Sequence, residues 1–296
     1  LKTAGSGRGG WLYERPWYLL IGPPGAGKTT ALRASGLDFP LAEGKVAGVG
    51  GTRHCDWWIA EQAVLIATAG RYTTQDSDAA ADKAGWERFL DLLARERAAL
   101  AVRQRVRELE QHLRQRLPVY LLVSKADLLA GFTEFFADLD RDTRAQVWGV
   151  TFAPDAGPQG PLEAFAAEFA ALQRRLQERL FARLQAERGA EQRAAIAGFP
   201  AQFASLEAPL ALFLKSAFGG SKLDAAPWLR GVYFTSGTLE GTPIDRLSGA
   251  LARSFGLQVR RAAAQPGHQG RSYFLGRLLR DVVFHEARLA VLDAKA

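Results

Sequence analysis

Eight consecutive residues, Gly22-Pro23-Pro24-Gly25-Ala26-Gly27-Lys28-Thr29, fit the phosphate-binding pattern GxxxxGKS/T. The glycines let the backbone curl so that its N–H groups turn inward onto phosphate oxygens, and the helix that follows adds its positive end. Lys28 places a point charge against the β- and γ-phosphates. The Thr29 hydroxyl is the expected Mg²⁺ ligand, with Thr30 behind it in the first helical turn. The chemistry implied is the holding of a polyphosphate tail. With a metal it extends to loose phosphoryl transfer to water, with Lys28 and Thr29 stabilising the charge.

A P-loop domain of the GTPase kind needs further groups, and the chain offers candidates in the expected order. Gly50-Gly51-Thr52 makes Thr52 a candidate γ-phosphate and Mg²⁺ sensor. Ala67-Thr68-Ala69-Gly70 stands where a DxxG turn is expected, with alanine in place of the metal-holding aspartate. That loss predicts weak Mg²⁺ binding and weak hydrolysis, although the Gly70 N–H remains available to phosphate. Arg71 follows where a water-orienting glutamine is expected; an arginine cannot accept from water but can stabilise transition-state charge. Ser124-Lys125-Ala126-Asp127 fits the base-reading pattern N/TKxD with serine leading. Asp127 would accept from guanine while the Lys125 stem packs along the base. Thr235-Ser236-Gly237 ends a later strand and makes Ser236 a candidate for the last base-side loop. The cofactor is therefore GTP or ATP with Mg²⁺, and the choice of base stays open. No residue reads as a general base.

These groups need strands ending at loops with helices behind them. PWYLLIG (16–22), VYLLV (119–123) and RGVYFTSG (230–237) read as buried strands, and residues 52–68 as a hairpin turning at Glu61-Gln62. Strand–loop–helix alternation predicts an α/β fold, a P-loop NTPase of GTPase-like type whose mostly parallel sheet is flanked by helices. Residues 95–117 read as an Arg-rich helix ended by Pro118. Trp86–Leu93 begins another helix. Three helical patterns, 162–188, 190–205 and 207–218, predict an all-helical subdomain, with Gly198-Phe199-Pro200 as punctuation. Further helices are expected near 243–255 and 272–291. The division is a linker at 1–10, an NTPase subdomain at 11–158 and a helical subdomain at 159–227. The last sheet strand and its helix occupy 228–262, and a helical extension occupies 263–296.

Composition bounds the partners. The 296 residues are 48% hydrophobic and carry a net charge of +7, enough for a sizeable core and suited to anionic ligands. One cysteine, Cys55, excludes an internal disulfide framework, and four scattered histidines give no zinc spacing. Methionine is absent even at position 1, so the sequence reads as a segment of something longer. The Arg-rich stretch 95–116 lacks interleaved aromatics and includes Glu108 and Glu110, which marks a solvated helix face with no nucleic-acid partner. Trp57 and Trp58 are expected on opposite faces of a strand.

The blocks RPWYLLIGPPGAGKTTAL, GVGGTRHCDWWIAEQAVLIATAGRYTTQDSD and VYLLVSKADLLAGFTEFF resemble the cytoplasmic domain of the IcmF/TssM family. So do FPAQF, AFGGSKLDAAPWLRGVYFTSGTLEGTPIDRL and GRSYFLGRLLRDVVF, in the same order. The resemblance implies an inner-membrane core component of bacterial type VI secretion, with this segment on the cytoplasmic face between membrane spans outside it. It implies contacts with other membrane-complex subunits and with the baseplate of a contractile tail. A scaffold that acts by protein contacts over a vestigial nucleotide site is the alternative, favoured by Ala67. In the family an apolar strand lies between the DxxG turn and the KxD strand. Here FLDLLARERAAL runs straight into the Arg-rich helix, and a parallel sheet without that interior member packs poorly. Residues are therefore expected to be absent from this sequence near Leu93–Ala98, and also near Asp155–Gly160 and Ala262–Gly270.

Overall fold

The computed structural model describes residues 15–22, 26–39, 55–68, 96–155, 160–220, 226–237, 272–289 and 291–292. The apolar run at 17–20 alternates exposed and half-buried residues, as a strand with one covered face must. This strand, β1 (Trp17–Leu20), lies parallel to β3 (Val64–Thr68), with Trp17 opposite Val64 and Leu20 opposite Ala67. Strand β2 (Cys55–Ile59) returns antiparallel on the other side of β3. The expected turn at Glu61-Gln62 joins them, closed by the Ala60 N–H donating to the Ala63 carbonyl at 2.9 Å. Tyr18, Leu20, Leu65, Ala67 and Trp58 share one face and pack on Leu32 of the short helix α1 (Lys28–Arg33). Trp17, Leu19 and Trp57 are exposed on the other, where the two indoles meet edge-on at 5.6 Å. The tryptophan pair thus divides between faces as the pattern predicts.

A second sheet carries the other half of the molecule. β5 (Pro118–Val123) and β7 (Trp228–Phe234) are parallel, and β6 (Gly149–Thr151) lies antiparallel on β7. The sequence reading missed β6, three residues too short to show a period. The helical block is α5 (Gly160–Ala186), α6 (Ala190–Ala204) and α7 (Glu207–Phe218), with α2 (Glu96–Leu113) packed on α7. Between helices and sheet lies an aromatic core in which Phe132, Phe136, Phe199, Phe203 and Phe234 surround Trp148. Most of its rings sit edge-to-face or tilted, and Phe203 stacks on Trp148 at 4.8 Å, arrangements their quadrupoles allow. Pro200 lies inside α6 without ending it, contrary to the expected punctuation. Phe199 and Phe203 on either side are fully buried, and that packing holds the helix across the missing N–H.

Other expectations need correction. The helix read over 95–117 stops at Leu113, because Arg114 adopts a left-handed φ of 50° and Gln115–Arg116 (β4) turn into a strand. The helix read over 272–291 is not a regular one. Short strands β8 (Ser236–Gly237) and β9 (Ser272–Tyr273) pair antiparallel, and a π-helical turn follows at Leu278–Val283. Strand β10 (Val291–Leu292) then pairs with β4. The left-handed Phe274, φ 60°, is what prevents helix from starting at Ser272. In place of one mostly parallel sheet, the described residues form two three-stranded sheets, ordered β1-β3-β2 and β5-β7-β6, each with one parallel and one antiparallel pair. Among the described residues no ladder joins β1 to β5, the position at which the family's additional strand is expected. The short helices α3 (Phe132–Phe135) and α4 (Arg141–Ala145) link β5 to β6. Helices expected at Trp86–Leu93 and 243–255 lie outside the described residues.

Candidate phosphate-binding site

The loop after β1 meets α1 through Gly27, whose φ of 75° lies in the left-handed region that glycine enters without penalty. Its carbonyl accepts the first helical bond, from the Ala31 N–H at 2.8 Å. Gly22 is buried at the end of β1. The Lys28 ammonium folds back over the loop and donates to the Gly22 carbonyl at 2.7 Å. Burial there pulls its pKa down to about 8, since the charged form gives up water. Lys28 thus ties the start of α1 back to the end of β1. Thr29 and Thr30 are half-buried in the first turn of α1. Pro23, Pro24, Gly25, Thr52, Gly70 and Arg71 lie outside the described residues.

The base-side motif is joined to this loop. Ser124, just past β5, donates its hydroxyl to the Ala26 carbonyl at 2.7 Å. Lys125 then turns the chain through a left-handed φ of 60°, and Asp127 follows within the 3-10 turn Ala126–Leu128. The turn is pinned by the Ala126 N–H donating to Thr235 O at 3.0 Å, while the Thr235 N–H reaches Val123 O at 2.9 Å. Ser236 is fully buried and donates its hydroxyl to Asp127 Oδ1 at 2.5 Å. Its hydroxyl is therefore committed to the carboxylate, which makes Ser236 a holder of Asp127 more than a ligand group in its own right. At Gly237 an added Cβ would come within 2.8 Å of Thr30 Cγ2, so β8 presses directly on α1.

Three segments roughly a hundred residues apart in sequence thus close on one another: 26 with 124, 127 with 236, and 237 with 30. Sequence order suggested the set, but not the bonds that fasten it. Nothing in the sequence marked the Ser236–Asp127 link or the Thr30–Gly237 contact, because each depends on two elements meeting.

The donor set suits an anion. Loop amides, the Lys28 ammonium and the Thr29 hydroxyl are all groups a polyphosphate would accept from. A divalent metal finds less. Ala67 is fully buried on the core face of β3, and among the described residues no group of three His, Cys, Asp or Glu side chains could hold an ion. Thr68 turns its hydroxyl to the Leu20 carbonyl at 2.9 Å, tying β3 to β1 at the mouth of the loop.

Known proteins place the chain. Residues 94–296 match the IcmF-related N-terminal domain family. The chain is 50% identical to type VI secretion system component TssM1 of Pseudomonas aeruginosa over 327 aligned residues, covering 99% of this chain and 30% of that protein. The alignment is longer than the 296 residues present here, so the relative carries residues opposite gaps in this chain. No solved structure matches. The chain spans about a third of the length of the relative it matches, and it belongs to the IcmF-related family.

Proposed function

We propose that this chain is the nucleotide-binding part of a type VI secretion component, a P-loop NTPase domain that binds GTP or ATP with Mg²⁺ and uses occupancy to bias its contacts in the secretion complex. The observation that carries the reading is the convergence of three motifs on one place: Ser124 on Ala26, Ser236 on Asp127, and Gly237 against Thr30. A chance glycine-rich turn has no reason to be fastened to an SKxD strand end and a TSG loop at once. Lys28 would exchange the Gly22 carbonyl for phosphate oxygens, and Asp127, held by Ser236, would accept from the base. Mg²⁺, when bound through Thr29 and nucleotide, neutralises phosphate charge. Thr52, Gly70 and Arg71 remain part of this proposal as the γ-phosphate side of the site.

By the likeness to TssM1, the partners proposed are other subunits of the secretion membrane complex and its baseplate. Placement is on the cytoplasmic face of the bacterial inner membrane. A second reading, a scaffold with a vestigial site, is favoured by Ala67, which removes the carboxylate a metal needs. Calorimetric titration with GTPγS and AMPPNP, with and without Mg²⁺, against the chain and Lys28→Ala decides between them. Binding lost in Lys28→Ala supports the nucleotide domain. No binding by the unaltered chain leaves the scaffold.

A further inference from the structure

The phosphate half of the candidate site is mounted on the first sheet and the base half on the second. Residues 272–289 are bonded to both. At one end, β9 pairs with β8, setting Tyr273 opposite Ser236, the residue that holds Asp127. Leu279 and Val283 then pack with Leu32 of α1, and Arg280 donates to the Gly36 carbonyl at 3.1 Å just beyond that helix. The Tyr18 hydroxyl on β1 donates to Val283 O at 3.1 Å, with its ring 5.0 Å from Phe284. On the other side, Tyr120 of β5 donates to Glu286 Oε2 at 2.6 Å, and buried Arg230 of β7 grips both Glu286 oxygens.

The backbone of this segment is under tension. Phe274 holds a left-handed φ of 60°, which a bulky side chain adopts only when its surroundings force it. The Phe284 N–H reaches Leu279 O five residues back at 2.7 Å, the wide turn of a π-helix, a form that gathers at functional places. Beside Phe274, the Tyr273 hydroxyl and Arg144 Nη1 are buried with no hydrogen-bond partner among the described residues.

We propose that residues 272–289 form a strap coupling the two halves of the nucleotide site, so that nucleotide occupancy orders the strap and strap anchoring raises nucleotide affinity. The proposal rests on the nucleotide-binding reading and adds regulation to it. A ligand that spans Lys28 and Asp127 bridges the two sheets, as the strap does. Two braces across the same gap stabilise one another, and linkage makes the effect reciprocal.

The test uses the full chain. Hydrogen–deuterium exchange with and without GTPγS·Mg²⁺ or AMPPNP·Mg²⁺ is expected to show amides 277–287 protected by about tenfold or more on binding. Tyr18→Phe combined with Arg280→Ala removes two strap anchors, the first while keeping the aromatic ring. That variant should bind ~5-fold or more weakly at a temperature where circular dichroism shows it fully folded, with faster strap exchange. Unchanged protection on a nucleotide that calorimetry shows bound, together with wild-type affinity in the variant, overturns the strap and leaves the site intact. Absence of calorimetric binding to the unaltered chain overturns both.

Discussion

The Ser124 hydroxyl donates to the Ala26 carbonyl at 2.7 Å, and this bond crosses from the strand end that would read the base to the loop that would carry phosphate. It fixes the loop's last turn before Gly27, whose left-handed φ sets the start of α1. Serine is short for a position usually occupied by asparagine, and this approach of loop to strand is close enough for it to reach.

Ser124→Ala should therefore weaken GTPγS and AMPPNP binding alike, by about 5-fold, the equivalent of roughly 1 kcal/mol for a net hydrogen bond. Asp127→Asn, which alters the group proposed to face the base, should shift the ratio between the two nucleotides. Calorimetry on both variants separates the roles. A change of base preference in Ser124→Ala with no loss of affinity would refute the loop-fastening role.

Lys28 gives a pH dependence whose sign is fixed by its environment. Burial lowers its pKa to about 8, below its ordinary value, so in the free protein the ammonium is half deprotonated near that pH. Phosphate favours the charged form, so binding takes up a proton there. Affinity should be nearly level below pH 7 and fall roughly tenfold between pH 7 and pH 9. Lys28→Arg, which stays charged, should retain whatever affinity it has across that range. An equal fall in both proteins assigns the effect elsewhere.

Much of the candidate site was legible because its signals are local. Gly22 to Thr29, Ser124 to Asp127 and Thr235 to Gly237 are short runs at strand ends, and residue type and spacing alone mark them. The hairpin at 55–68 and the helices at 160–218 were legible from periodicity. What was not legible is non-local. Arg183 reads as one more arginine on a solvated helix, yet it is buried and donates to the Phe135 and Glu134 carbonyls at 2.9 Å, capping the end of α3. The segment at 272–291 has helical periodicity, and only its pairing with β8 and β4 and the turn at Phe274 keep it from being a regular helix.

Gly131 illustrates a constraint of the same non-local kind. It sits at φ 82°, and a Cβ added there would lie 2.2 Å from the Ala195 carbonyl oxygen of α6. Neither the left-handed backbone nor the backbone neighbour can yield cheaply. Gly131→Ala should cost about 2–4 kcal/mol and lower the melting temperature by roughly 5–15 °C. Gly198, where an added Cβ meets nothing within 4 Å, is the matched control. Gly198→Ala should leave the midpoint unchanged or raise it slightly, since alanine favours helix. Similar losses at both positions would show that close approach is not what Gly131 serves.

In the proposed nucleotide site, Ala67 is the residue on which hydrolysis would turn. It is fully buried opposite Leu20, in the cluster formed by Leu32 and Leu65 on the core face of β3. A carboxylate placed there without a cation gives up water for an apolar wall, so Ala67→Asp should lower the melting temperature in metal-free buffer. If the end of β3 faces the Thr29 side of the site, Mg²⁺ with GTPγS should recover most of that loss, by more than it raises the unaltered chain. Mg²⁺-dependent phosphate release from GTP or ATP should rise in the same variant, because a carboxylate beside the metal supplies the coordination that alanine cannot. A variant that is destabilised equally with and without Mg²⁺ nucleotide, and that turns over no faster, would place residue 67 in the core alone.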